Sequence, residues 1–153
     1  MWVFGYGSLA ALPGAEPATL AGHRRTWGVA MDNRVEIPGY KVYEDAGGNR
    51  PAVCVAFLDV EPDEHASVSG ARIEVDDGAL ADLDARERSY ERVEVQPGVF
   101  VYRGRAERRA IAAAARRDGR LVVQRDYLEL VRAALGAVEE PDCPVVDLIM
   151  RPT

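Results

Sequence analysis

Met1-Trp2-Val3-Phe4-Gly5-Tyr6-Gly7-Ser8-Leu9 opens the chain as an apolar run that breaks into a glycine-flanked polar turn. Trp2, Val3 and Phe4 suit a pleated strand. Gly5 and Gly7 free the backbone after them to turn tightly and to approach a ligand. A turn of this kind aims successive N–H groups at one point, where they hold a carboxylate or a carbonyl oxygen that gains negative charge. The Tyr6 phenol and the Ser8 hydroxyl add hydrogen-bonding groups to the same place. Spacing alone leaves two readings open, a ligand-holding turn and an ordinary chain reversal.

Working outward, residues 10–22 contain Pro13, Gly14, Pro17 and Gly22, so no long helix follows the first strand. Gly5, Gly7 and Ala10 formally match a dinucleotide-binding fingerprint, with Asp32 about where a ribose-binding acid belongs. That fingerprint needs a helix where Pro13-Gly14 stands, and nucleotide binding is set aside. Strands are expected at residues 20–31, 51–60, 68–75, 90–95 and 99–102, with a short extended piece at 121–123. Between the first two of these, residues 32–40 read as a polar loop and 44–50 as a turn through Gly47-Gly48.

Helices are expected at 79–88, after the acidic start Asp76-Asp77-Gly78, and at 107–117, stopping at Asp118-Gly119. A last one starts near Asp126, where Tyr127, Leu130, Val131, Ala134, Leu135 and Val138 form one apolar stripe. Strands dominate the first two thirds and helices the last third. The expected class is α+β, a small mixed, barrel-like sheet with flanking helices, in a single domain over residues 1–153.

Composition narrows the function. Hydrophobic residues make up 48% of the chain and charged residues 29%, the proportions of a globular protein. No apolar run reaches the ~20 residues of a membrane span, and Met1 leads straight into the first strand, so the expected location is the cytoplasm, away from the membrane. A net charge of −6 argues against nucleic acid as a partner. Residues 103–125 are locally basic, with eight Arg against Glu107 and Asp118, and read as a solvated face. Cys54 and Cys143 give neither a disulfide framework nor a metal spacing, and neither do His23 and His65, both read as surface residues. Lys41 is the only lysine, taken with the many arginines as a coding bias.

One carboxylate sits where apolar side chains belong. In the helix at 79–88, Leu80 and Leu83 mark the inward stripe, and its next positions are Asp84 and Glu87. A carboxylate turned inward acquires a raised pKa, as a general base working near neutral pH requires, and Asp84 adds like-charge repulsion. The competing reading has the helix fraying before Glu87, which is then exposed and paired with Arg86, Arg88 or Arg92. A triad of Ser8, His23 and Asp32 is poorly supported, because Ser8 lacks the Gly-x-Ser-x-Gly elbow of serine hydrolases.

Taken together, the turn Tyr6-Gly7-Ser8-Leu9 and the segment Leu83-Asp84-Ala85-Arg86-Glu87, with Tyr90 just after it, resemble the γ-glutamylcyclotransferase-like family. The motifs lie about eighty residues apart and cover nearly the whole chain. Leu9 follows Ser8 directly, without the Asn of some members, which is similar to the subgroups whose turn reads Tyr-Gly-Ser-Leu.

The resemblance implies a small mixed β-barrel with flanking helices and a reaction without a cofactor. In it the α-amine of a γ-glutamyl group closes on its own γ-carbonyl, giving 5-oxoproline and expelling an amine or amino acid. It further implies Glu87 as acid/base, the amides of Gly7, Ser8 and Leu9 with Tyr6 as substrate holders, and Tyr90 as a positioning group. The substrate is then a small γ-glutamyl molecule: a dipeptide, glutathione or a γ-glutamylamine. Arg34, in the loop with Asn33, is a candidate selector of the leaving group, against the alternative of a solvated arginine. A non-catalytic module that binds a γ-glutamyl-like or other carboxylate metabolite is the second functional reading.

Overall fold

The structure, a computed structural model, describes residues 1–153. Its centre is one very long strand. Strand β1 (Trp2–Gly5) runs into a 3₁₀ turn at Ser8–Ala11, β2 spans Glu16–Asp32, β3 Lys41–Glu44 and β4 Cys54–Glu74. Helix α1 (Asp77–Arg86) follows, then β5 (Tyr90–Gln96), β6 (Val99–Gly104) and α2 (Ala106–Arg117). After these come β7 (Leu121–Gln124), α3 (Arg125–Leu135), β8 (Val145–Val146) and β9 (Ile149–Pro152).

Residues 54–60 of β4 are all buried, as their unbroken apolar run requires for a strand covered on both faces. Polar residues 61–67 continue the same strand, where the sequence divides it at 60 and resumes at 68. They pair with β2 as an exposed ribbon, and Pro62 sits opposite His23 at a register shift, the position in which a missing N–H is tolerated. β2 likewise starts at Glu16, four residues ahead of its apolar part.

β2 holds one edge of β4 along nearly its whole length. The other edge is shared: β1 pairs antiparallel with residues 71–74, and β7 pairs parallel with residues 54–55. β6 and β5 extend the sheet beyond β1, β8 extends it beyond β7, and β3 with β9 forms a separate two-stranded sheet. The fold is therefore mixed α+β, as expected, but the sheet does not close into a barrel. β1 leads to a single 3₁₀ turn and then β2, with none of the helix a dinucleotide site needs. No helix is long and apolar enough to cross a membrane.

Local chemistry explains the boundaries. Asp76 caps α1 by accepting from the Ala79 N–H at 2.8 Å, and the helix ends at Arg86, two residues before the expected limit. Gly136 ends α3 with positive φ. His23 departs from its expected surface position. It is buried at the register shift of the ribbon, with Nδ1 against the Ala21 carbonyl at 3.1 Å. The arginines of 103–125 are not merely a solvated face: Arg109 pairs with the fully buried Asp59 at 2.7 Å, and Arg116 with Asp142 at 2.8 Å, tying α2 to the sheet and to the C-terminal segment.

Gly70 tests the close approach of β1 to β4. A Cβ there would collide with the Gly5 carbonyl oxygen and stand 2.7 Å from Phe4 Cζ. Gly70→Ala is expected to cost about 1–3 kcal/mol by overpacking. Gly78→Ala, whose Cβ meets only Asp76 Oδ1 at 3.5 Å, should gain up to about 1 kcal/mol. Urea unfolding midpoints of the two variants check the contrast.

Candidate active site

The division of one β4 edge between β1 and β7 leaves the residues between them without a strand neighbour there. Leu58, fully buried in that interval, meets its hydrogen-bonding needs from tyrosines: Tyr90 Oη donates to its carbonyl at 2.7 Å, and its N–H donates to Tyr127 Oη at 3.4 Å. The turn after β1 lies against the same place. A Cβ on Gly7 would stand 3.1 Å from Tyr127 Oη and 3.6 Å from Leu58 Cβ, so a glycine here lets the backbone come in close. The Gly7 carbonyl accepts from the Ala10 N–H at 3.0 Å. The N–H groups of Ser8 and Leu9 open the 3₁₀ turn, ahead of its first internal bond.

Tyr6, Gly7, Ser8 and Leu9 line a small recess of about 30 Å³ together with Leu58, Tyr90, Tyr102, Tyr127 and Glu87. A larger chamber of about 570 Å³ adjoins it and shares Ser8, Glu87, Tyr90 and Tyr127. Glu87 thus stands at the junction, on the wall of the recess formed by the N-terminal turn. Tyr6 Oη donates to the Tyr102 carbonyl at 2.5 Å, and burial holds the Tyr6, Tyr90 and Tyr127 phenols well above their ordinary pKa. All three remain protonated donors at neutral pH.

Both sequence readings of Glu87 hold a part of the outcome. The helix does stop before it: Glu87 is the cap residue, and its N–H bonds the Leu83 carbonyl at 2.8 Å. Yet its side chain is only 14% exposed and accepts no hydrogen bond, the nearest cation being Arg86 Nε at 3.8 Å. Burial raises its pKa, against smaller lowering effects from Arg86 and Lys41. The other arginines are occupied elsewhere. Arg88 donates to the Pro38 and Gly39 carbonyls, and Arg92 pairs with Asp84 at 3.0 Å. Asp84 is the correction here: it is exposed, accepts from Tyr102 Oη at 2.7 Å, and has no place among the causes of the Glu87 shift.

Arg34 is not brought to the site. It forks onto Asp32 at 2.7 Å in an exposed loop and lines neither cavity, because its own Asp32 takes its guanidinium where β2 ends. Its neighbour Asn33, fully buried, ties β2 to the Tyr43 and Pro51 backbone. The serine triad fails as well, since His23 and Asp32 line neither of the cavities that hold Ser8, His23 lying against the Ala21 carbonyl and Asp32 on Arg34. Nor does any cluster of three or more His, Cys, Asp or Glu side chains gather as a metal site requires.

Two cavity residues escaped the sequence. Tyr127 reads there as one more member of the α3 stripe, and it does pack edge-on against Trp27 and Phe57 while its hydroxyl faces the turn. Lys41 lines the larger chamber with its Nζ 4.3 Å from the centre of the Phe57 ring. Its available signal was its uniqueness among nineteen basic residues.

A family model described as gamma-glutamyl cyclotransferase, AIG2-like, matches residues 3–129 of the chain. No curated protein matches it.

The Glu87 environment has a consequence for stability. Its pKa lies above the ordinary 4.5 in the fold, so the folded chain binds more protons than the unfolded one between the two values. The stability tied to this group is fully present below 4.5 and is lost as pH rises through the raised value. Glu87→Gln should therefore melt at a higher temperature than the parent near neutral pH, and the difference should shrink on acidification below the ordinary carboxylate range. A melting difference that does not change with pH would contradict a buried, charge-strained carboxylate.

Proposed function

We infer the activity from one premise: the chain belongs to the gamma-glutamyl cyclotransferase, AIG2-like family. We propose that it converts a small γ-glutamyl compound to 5-oxoproline and releases an amine or amino acid, with Glu87 as the acid/base. The observation that carries this reading is the shared wall of Glu87 and the Tyr6-Gly7-Ser8-Leu9 turn, with the carboxylate mostly buried and free of hydrogen bonds.

The chemistry needs one proton carrier and one oxyanion holder. Glu87, ionised, takes a proton from the substrate α-ammonium, and the freed amine attacks the γ-carbonyl carbon. A five-membered ring closes as the carbonyl oxygen takes on negative charge. The same carboxyl group then hands that proton to the departing nitrogen and takes the second proton from the ring nitrogen as the C–N bond breaks and the carbonyl reforms. The second proton leaves with the released amine as its ammonium, so an α-ammonium and an amide become a lactam N–H and an ammonium, and Glu87 ends ionised. A raised pKa suits both halves of the cycle, because the group must gain and lose a proton with similar ease. The N–H groups at Ser8 and Leu9 are suited to hold the oxyanion, and the protonated phenols of Tyr6 and Tyr90 keep the wall beside them uncharged. Confinement of the glutamyl chain in a curled shape supplies the remaining advantage, since an intramolecular attack gains chiefly from restricted geometry.

Glu87→Gln keeps the size of the side chain and removes its basicity. It should lower kcat for 5-oxoproline release by about 10²- to 10⁴-fold, with circular dichroism and ligand affinity retained. The assay is incubation with a panel of γ-glutamyl dipeptides, glutathione and γ-glutamylamines, scored for 5-oxoproline by mass spectrometry. Release of free glutamate would point to hydrolysis instead. Binding without turnover in the parent would identify a binding module.

A further inference from the structure

Lys41 is the only lysine in a chain whose other eighteen basic residues are arginine, and it lies in the wall of the larger chamber. Its ammonium has three donors to satisfy, yet it forms no ion pair and no hydrogen bond within the protein. What it touches is aromatic: Nζ is 4.3 Å from the centre of the Phe57 ring and 5.2 Å from that of Tyr40. Ring faces ease the burial of a cation but accept no conventional hydrogen bond. Burial brings its pKa down to about 8, with Glu87 acting in the opposite sense, so the group still carries its charge at neutral pH.

The other cations of the chamber are committed: Arg88 to the Pro38 and Gly39 carbonyls, Arg86 beside Glu87. The opposing charge on the rim, Asp126, is exposed. A half-buried ammonium that faces a chamber with no protein partner for its donors is a site for an anion.

Glu87 and Ser8 stand where recess and chamber meet. The carbonyl oxygen of a scissile amide placed there faces the N–H groups of the turn in the recess, which at about 30 Å³ admits little more, so the leaving group lies in the chamber that Lys41 lines. Lys41 lines the chamber and not the recess.

We propose that Lys41 binds a carboxylate on the leaving group, so that the preferred substrates are γ-glutamyl conjugates of α-amino acids and not of simple amines; this rests on the cyclotransferase reading of the same site. Lys41 is here a specificity residue for a group two bonds from the bond that breaks.

The test compares γ-glutamyl-alanine with γ-glutamyl-ethylamine, which differ only in that carboxylate. The parent should favour the alanine conjugate by about 10- to 100-fold in kcat/KM, the range of a charge-assisted hydrogen bond. Lys41→Met should bring the ratio to within about threefold of unity by raising KM for the alanine conjugate alone, and Lys41→Arg should restore part of the preference. An equal loss on both compounds would place Lys41 on the glutamyl carboxylate or in a purely structural role, and a parent without preference would overturn the proposal outright. Should Lys41→Met fail to fold, the parent's ratio and the Lys41→Gln variant decide. If neither compound yields 5-oxoproline the cyclotransferase reading fails by itself. Calorimetric titration of the same two compounds into the parent then still decides the carboxylate claim, through a tighter alanine conjugate or equal affinities.

Discussion

The site depends on a gap in hydrogen bonding along β4. A strand buried on both faces cannot leave peptide groups unpaired, at about 1–3 kcal/mol for each orphan, and β1 and β7 cover only the two ends of the edge they share. At Leu58 the missing strand is replaced by the hydroxyls of Tyr90 from β5 and Tyr127 from α3. Satisfying the backbone therefore brings elements from both ends of the sheet to one point and fixes the two phenols rigidly. The opening that remains beside them is filled by the turn at Gly7, the residue whose missing side chain allows the approach. The cavity is the by-product of a sheet that spends two short strands on one long one.

Charge is placed in that opening at a cost to stability. Glu87 and Lys41 each lie partly out of water, Glu87 with only the long contact to Arg86 at 3.8 Å and Lys41 with no ion-pair partner, and each eases the other's burial across the chamber without forming a direct pair. A closed Glu87–Lys41 salt bridge would be more stable and would leave neither group free for a ligand. The surrounding phenols contribute donors but no charge, so the field inside the cavity is set by Glu87 and Lys41 together with Arg86, Arg88 and Asp126 on the chamber wall. Strain of this kind is a common mark of functional sites.

What the sequence revealed follows the range of the interactions involved. β1 and its turn are written in nine adjacent residues, and Glu87 follows from the spacing of Leu80 and Leu83 on one helix; both are local patterns. Asp84, one position along the same stripe, shows the limit of periodicity. Helix phase cannot foresee that Arg92 and the Tyr102 hydroxyl, from other strands, hold it at the surface. The continuity of β4 through residues 61–67 was equally hidden, since a polar ribbon is specified by its partner strand and not by its own alternation. His23 is buried by the same pairing. Arg34 looked available because a sequence does not say that an aspartate two residues earlier folds back onto it.

The last quarter of the chain carried the weakest signal and holds a distinct share of the site. β9 pairs with β3, setting Lys41 opposite Pro152 and Tyr43 opposite Met150, and the exposed Ile149 and Met150 join Leu130 on the chamber wall. All of these except Lys41 and Tyr43 lie beyond residue 129, where the family match ends. The recess with its turn, its phenols and Glu87 lies wholly within the matched region. Two short strands of four residues each are a weak device for holding a catalytic group to sub-ångström tolerance, but suffice for one wall of the leaving-group chamber proposed above. On the proposed function, bond-making falls to the recess against the long sheet, and choice of leaving group to a wall where a small, separately paired ribbon can vary without disturbing it.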